Sequence, residues 1–217
     1  MNLEDFMHQW RQEPLALIAI LRGIEPEQAT EAAEVLLECG FRYLEVPLNS
    51  PSPYRSIQRM REVVGERGYV GAGTVLTTQQ VDQVAECGGQ LIISPNCDPV
   101  VIRHTRLRGL ISLPGVVTPS EALSAIAAGA SALKLFPAEM VDTPVIKALR
   151  AVLPPEVACL PVGGIKPDAT QMRCYLQSGA NGFGLGGGLY QAGMSISRLR
   201  ECALAYQQAF TVARSQP

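Results

Sequence analysis

The stretch "SALKLFPAE", residues 131–139, sets Lys134 between Leu133 and Leu135 in a run that reads as a buried strand. An ammonium in a low-dielectric interior is costly unless it is paired or gives up its proton. A desolvated lysine has a lowered pKa, and its neutral amine is the form that attacks carbonyl carbon. Side chains alternate across a strand, so if Leu133 and Leu135 face outward, Lys134 and Phe136 face inward. The same parity in "YLEVPL" (43–48) turns Tyr43, Glu45 and Pro47 inward and Leu44 and Val46 outward. In "LALIAILRG" (15–23) Ile18, Ile20 and Arg22 share a face, and in "YVGAGTV" (69–75) Val70, Ala72 and Thr74 do. Arg22, Glu45, Thr74 and Lys134 thus fall in the C-terminal halves or at the ends of four strands and aim at one small volume. Two readings of Lys134 and Glu45 are open. One is a buried ion pair held for structure. The other is an amine nucleophile with a carboxylate that moves protons, which suits Schiff-base carbon–carbon chemistry. Apolar replacements of a buried pair often stabilise a fold, which makes such a pair an odd choice for stability alone.

The elements that must position these residues repeat along the chain. Further strands are read at "LIISP" (91–95), "GLISLPGV" (109–116), "ALKLFPA" (132–138), "ACLPVGGI" (158–165) and "GFGLGGGL" (182–189). Amphipathic runs such as "PEQATEAAEVLLECG" and "TPSEALSAIAAG" lie between them, opening near Pro, Ser or Thr and closing at Gly. Eight such units in 217 residues predict a single α/β domain, a compact (β/α)8 (TIM) barrel over residues 1–217. An open doubly wound sheet is the alternative. Residues 1–12 read as an extra N-terminal helix, centred on 2–11, across the bottom of the barrel, and residues 213–217 as a tail. Active sites of such barrels sit at the C-terminal ends of the strands.

Two glycine-rich turns, "PVGGI" (161–165) and "GLGGGL" (184–189), end the last two strands. That is where barrels of this kind hold phosphate, through backbone N–H donors. The plain alternative is that the glycines only permit tight turns.

Composition narrows the classes. The chain is 47% hydrophobic and 18% charged, with a formal net charge of −2 and no basic block, which argues against nucleic acid as a partner. Apolar runs are short and broken, so no transmembrane segment is expected, and "MNLEDFMHQWRQEP" lacks a signal-peptide core. The six cysteines are scattered without a CxxC pair, which suits a reducing cytoplasm. No His, Asp and Glu cluster has metal-ligand spacing, so no metal is expected. His8 and His104 fall in predicted helices and read as solvated or structural. No G-x-S-x-G elbow supports a serine hydrolase. Of the 18 cationic residues only three are lysines; Lys147 reads as solvated and Lys166 as an exposed residue near a helix start.

Taken together, "YLEVPLNSP", "GAGTVL", "ISPN", "LKLFPAE" and "PVGGI" resemble the 2-keto-3-deoxy-6-phosphogluconate/phosphogalactonate aldolases, which are class I aldolases; the likeness runs from "ILRG" to "GLGGGLY". The resemblance implies that Lys134 forms the Schiff base and that Glu45 shuttles protons. It implies that Arg22 and Thr74 hold the pyruvyl carboxylate and that Pro95 and Phe136 shape the pocket. Gly163, Gly164, Gly186 and Gly187 would bind phosphate, no cofactor would be needed, and the assembly would be a homotrimer. The partners so implied are a phosphorylated sugar acid, pyruvate and glyceraldehyde 3-phosphate.

Three departures from the phosphogluconate members stand out. Pro47-Leu48-Asn49 replaces their Thr-Leu-Arg, Pro161-Val162-Gly163-Gly164 replaces Pro-Thr-Gly-Gly, and Gly187 stands where a serine is common. The first two resemble the galactonate branch, with Asn49 and Val162 at the substrate. The expected reaction is reversible cleavage of 2-dehydro-3-deoxy-6-phosphogalactonate to pyruvate and glyceraldehyde 3-phosphate. The alternatives are the phosphogluconate epimer or dual specificity and, in other classes, a non-covalent phosphosugar isomerase or an inactive phosphosugar-binding barrel.

Overall fold

A computed structural model describes residues 1–215. Its strands are β1 (Leu17–Ile20), β2 (Tyr43–Pro47), β3 (Tyr69–Gly73), β4 (Leu91–Ile93), β5 (Ile111–Leu113), β6 (Gly115–Val116), β7 (Leu133–Leu135), β8 (Cys159–Pro161) and β9 (Phe183–Leu185). All eight predicted strands are present at their expected places but shorter, and the fifth is split into β5 and β6 at Pro114. Proline has no N–H to give to a ladder, although its carbonyl still accepts from Lys134 N at 3.0 Å. The strands form an α/β fold with a curled, wholly parallel arrangement. One sheet runs β5-β4-β3-β2-β1-β9 and the other β6-β7-β8. Val162 and Gly184 make a parallel bridge between the ends of β8 and β9.

The connecting helices carry sequence-encoded starts. Pro26, Pro53, Pro99 and Pro119 open α2 (Pro26–Glu38), α3 (Pro53–Val64), α5 (Pro99–Leu107) and α6 (Pro119–Ala127). At that position the missing N–H has no helical acceptor anyway. Thr77 with Gln80 and Thr118 with Glu121 form capping boxes at α4 (Thr78–Glu86) and α6, a pairing that satisfies two otherwise free donors at each helix start. The remaining helices are α7 (Thr143–Arg150), α8 (Ala169–Gln177) and α9 (Ile196–Ser215).

The extra N-terminal helix is α1 (Leu3–Gln12), which buries Phe6, Met7 and Trp10. Trp10 donates through Nε1 to the carbonyl of Asn181 at 2.7 Å, and its ring packs edge-on to Tyr43 at 4.8 Å between centroids. Tyr43 opens β2 and Asn181 precedes β9, so α1 lies against the N-terminal ends of the strands. The expected tail is corrected in part: residues 213–215 continue α9, and Ala213 is buried. The helix still offers an apolar face there, which keeps it docked. Residues 216–217 lie outside the described residues.

Candidate active site

Parallel register decides which side chains share a face. Ile20 pairs with Glu45 and Glu45 with Gly71. Ile18, Ile20 and Lys134 line one interior void together with Ile93, Leu113 and Leu160. The inward parity read for β1, β2 and β7 therefore holds. That for β3 is reversed: Gly71 and Gly73 share the face of Glu45, while Val70 and Ala72 lie with Leu44 and Val46. The reason is space. A Cβ on Gly73 would stand 1.9 Å from Glu45 Oε2, so only glycine fits beside the carboxylate. Thr74 follows in a left-handed conformation, φ 58°, half-buried and outside the cavity lining. A β-branched residue rarely adopts that conformation, and holding it there is strained.

Above the interior layer, at the C-terminal ends of the strands, opens a cavity of about 740 Å³. Arg22, Glu45, Lys134, Phe136, Val162, Gly163, Gly164, Gly186 and Gly187 all line it. Asn49 reaches its rim indirectly, accepting a hydrogen bond from Arg22. Pro95 is not brought to the cavity; its carbonyl packs against Gly115, where an added Cβ would lie 2.3 Å away.

Lys134 is 6% and Glu45 1% exposed. No nitrogen–oxygen distance of 4.0 Å or less joins them, so the structural ion pair is absent. Glu45 Oε2 is buried without a partner. Burial raises the Glu45 pKa to about 7, against the pull of Lys134, Arg22 and a hydrogen bond from the Gly73 backbone. Burial also lowers the Lys134 pKa; Glu45 opposes that shift and Arg22 adds to it. Lys134 Nζ stands 4.4 Å from the centroid of the Phe136 ring, two residues on along the same face. The result is an amine biased toward neutrality and a carboxyl able to give or take a proton near neutral pH, both facing one cavity.

The glycine loops form the opposite wall. Gly163 and Gly164 have φ of 109° and 64°, which side chains rarely adopt. An added Cβ at Gly163 would also come 2.5 Å from Glu139 Oε2. Among the described residues, the N–H groups of Gly163, Gly164, Gly187 and Gly188 donate to no protein acceptor. An anion can therefore take them. Gly184 makes room for Val162, whose Cγ2 would lie 2.7 Å from a Cβ there.

Sequence reasoning missed several groups. Lys166 is exposed, as expected, but it lines the cavity beside these loops, so its dismissal is corrected. Tyr206, on the last helix, donates to the Ile165 carbonyl at 2.7 Å and holds the loop from below. Gln171 grips the same loop, donating to Gly164 O at 3.1 Å and accepting from Lys166 N at 2.8 Å. The "GGIKPD" run carried the only local signal; Tyr206 had none. Among the described residues no group of three or more His, Cys, Asp or Glu side chains is placed to hold a metal ion. No helix among them is long and apolar enough to cross a membrane.

The chain is similar to known proteins over most of its length. The chain is 46% identical over 194 residues to a probable 2-dehydro-3-deoxy-6-phosphogalactonate aldolase of Rhizobium meliloti (strain 1021), covering 89% of this chain and 91% of that protein. It is 42% identical to the 2-dehydro-3-deoxy-6-phosphogalactonate aldolase of Escherichia coli (strain K12), covering 94% and 98%. Among solved structures, one described as native KDPGal superposes with a TM-score of 0.90 at 42% identity, covering 93% of this chain and 97% of the other. A cube-shaped porous cage designed by fusing symmetric oligomeric domains matches with the same TM-score and identity, over 93% of this chain and 74% of that one. The family model for KDPG and KHG aldolase matches residues 10–198, and the chain belongs to that aldolase family.

Proposed function

We propose that this protein is a class I aldolase that cleaves 2-dehydro-3-deoxy-6-phosphogalactonate reversibly to pyruvate and glyceraldehyde 3-phosphate. The observation that carries the proposal is Lys134, buried yet open to a cavity it shares with the unpartnered carboxylate oxygen of Glu45. The neutral Lys134 amine attacks the C2 ketone, and loss of water gives an iminium. Glu45 takes the C4 hydroxyl proton, the C3–C4 bond breaks, and its electron pair flows into the iminium to give an enamine. Glyceraldehyde 3-phosphate leaves. The proton returns to C3, and hydrolysis frees pyruvate and the amine. A carboxyl with a pKa of about 7 is suited to both proton transfers.

Arg22 holds the carboxylate end in this reading, with Phe136 shaping that side. The free N–H groups of Gly163, Gly164, Gly187 and Gly188 take the phosphate, with Gly186 beside them in the cavity wall, and Lys166 adds positive charge. Val162 and Asn49 bias the choice at C4. With C2 fixed at Lys134 and phosphate at the glycine loops, inversion of C4 points its hydroxyl at a different wall. Val162 offers that hydroxyl no partner, and an unpaired buried polar group costs ~1–3 kcal/mol. The two named relatives at 46% and 42% identity support the galactonate configuration.

The same reading includes a single (β/α)8 domain, supported by the hydrogen bond from Lys134 N to the Pro114 carbonyl and by the Val162–Gly184 bridge. It includes a symmetric homotrimer, supported by the cage built from oligomeric domains and by exposed Leu76, Val100, Leu123 and Met140. It also includes a cytoplasmic site of action. Pyruvate release from the two C4 epimers, measured side by side, tests the substrate. The galactonate epimer should show the higher kcat/KM by roughly ten- to a hundredfold; equal values would remove the stereochemical assignment.

A further inference from the structure

A second cavity, of about 400 Å³, lies at the other end of the strands, between α1, α8 and α9. Arg11, Arg173 and Arg214 line it, no aspartate or glutamate does, and Trp10, Leu176 and Phe210 supply apolar wall. None of the three arginines forms an ion pair among the described residues. Arg214 donates to the carbonyls of Glu13 and Pro14 at 3.2 and 3.1 Å and lies over the Phe210 ring at 5.6 Å, with no carboxylate paired to it. Arg11 and Arg214 lie in the last turns of their helices, where a cation also answers the helix dipole. Arg173 is different. It sits mid-way along α8, and its Nε is buried with no acceptor. A buried donor left unmade is costly, and three guanidinium groups around one hollow repel each other.

From this convergence we propose that the cavity binds a small organic acid carrying two or three carboxylate or phosphate groups on a carbon frame. The acid groups pair with the guanidinium forks, whose geometry favours bidentate bonds to such oxyanions. The frame lies along the apolar wall. The site is separate from the aldol centre and does not rest on the reading of that centre. It lies at the opposite ends of shared strands: Ala16 precedes β1 and Asn181 precedes β9 at this cavity, while Ile20 and Gly184 line the catalytic one.

Trp10 is the single tryptophan of the chain and lines this cavity, so its fluorescence reports occupancy directly. The probe is benzene-1,3,5-tricarboxylate, titrated against the intact protein with sodium chloride at matched ionic strength as control. A saturable change with the tricarboxylate and none with chloride is expected. Arg173→Gln and Arg11→Gln should each weaken binding about tenfold or more, the scale of one charge-assisted hydrogen bond, and leave aldol cleavage unchanged. Arg11 is exposed, so Arg11→Gln decides the matter if Arg173→Gln does not fold. An unsaturable response, the same response to chloride, or affinity equal to the parent's in the folded variants would overturn the proposal. Anions bound at the glycine loops would be blind to either arginine.

Discussion

Replacing Gly73 with alanine should disable proton transfer while sparing Schiff-base formation. The added methyl would stand 1.9 Å from Glu45 Oε2, 2.4 Å from Cδ and 2.5 Å from Oε1. Comfortable carbon contacts begin at roughly 3.5 Å, so the carboxyl must retreat by about 1–1.6 Å. The φ of Gly73 lies outside the left-handed region, so alanine adds no backbone strain. The struck group is the end of a side chain, unlike Gly71, where a Cβ would meet the Leu91 carbonyl at 1.9 Å and threaten the sheet itself. A misplacement near 1 Å can cost about 10²-fold, which is also the lower range for a lost acid–base group. Steady-state cleavage should therefore show kcat down about 10²-fold with KM little changed. Exchange of the pyruvate methyl protons with deuterated solvent, followed by NMR, should fall in parallel, because it needs the same proton transfer at C3. Borohydride trapping of pyruvate should persist. Activity within about twofold of the parent, or trapping lost together with exchange, would refute the assignment of Glu45 as an acid–base group positioned by Gly73.

The Glu45 carboxyl also links stability to pH. Its pKa rises from 4.5 to about 7 on folding, so the stability of its protonated form is fully present below 4.5 and lost as pH rises through about 7. Chemical denaturation of Glu45→Gln and the parent should show the glutamine variant gaining relative stability across that window, by up to ~3 kcal/mol at 1.36 kcal/mol per pK unit; a pH-independent difference would contradict the shift. Thr74→Gly should raise unfolding free energy by about 1 kcal/mol, because glycine relieves the left-handed conformation at φ 58°; an unchanged or lower value in chemical denaturation would contradict the strain. Lys166→Gln should raise KM for the phosphorylated substrate and flatten its salt dependence, with pyruvate trapping intact; an unchanged KM would return Lys166 to the solvated surface.

Much of this site was legible because buried polarity is conspicuous in an apolar strand. Lys134 within "ALKLFPA" and Glu45 within "YLEVPL" stand out against their neighbours, and period-two alternation then fixes their direction. The same logic failed on β3. There the alternation sets Val70 and Ala72 against Gly71 and Gly73, and parity follows the residues that have side chains. The interior layer was already occupied by Glu45, whose bulk demanded glycine, and glycine gives no sign of which way it faces. Pro95 and Thr74 lie past the ends of their strands, where alternation no longer governs direction. Tyr206 was invisible for another reason: its partner Ile165 is 41 residues away, and nothing local marks a hydroxyl that supports a distant loop. The last three helical residues, 213–215, were lost to the polar look of the chain end, although Ala213 packs inward.

Reduction of the pyruvate adduct tests the assignment of Lys134 as the Schiff-base residue most directly. The protein is incubated with pyruvate and sodium borohydride, digested, and mapped by mass spectrometry. The chain offers three lysines: Lys134 buried on β7, Lys147 exposed on α7, and Lys166 at the cavity rim. A reduced pyruvyl group is expected on Lys134 alone, with loss of activity in step with labelling. Label on Lys166 or Lys147, or loss of activity without label on Lys134, would contradict that assignment.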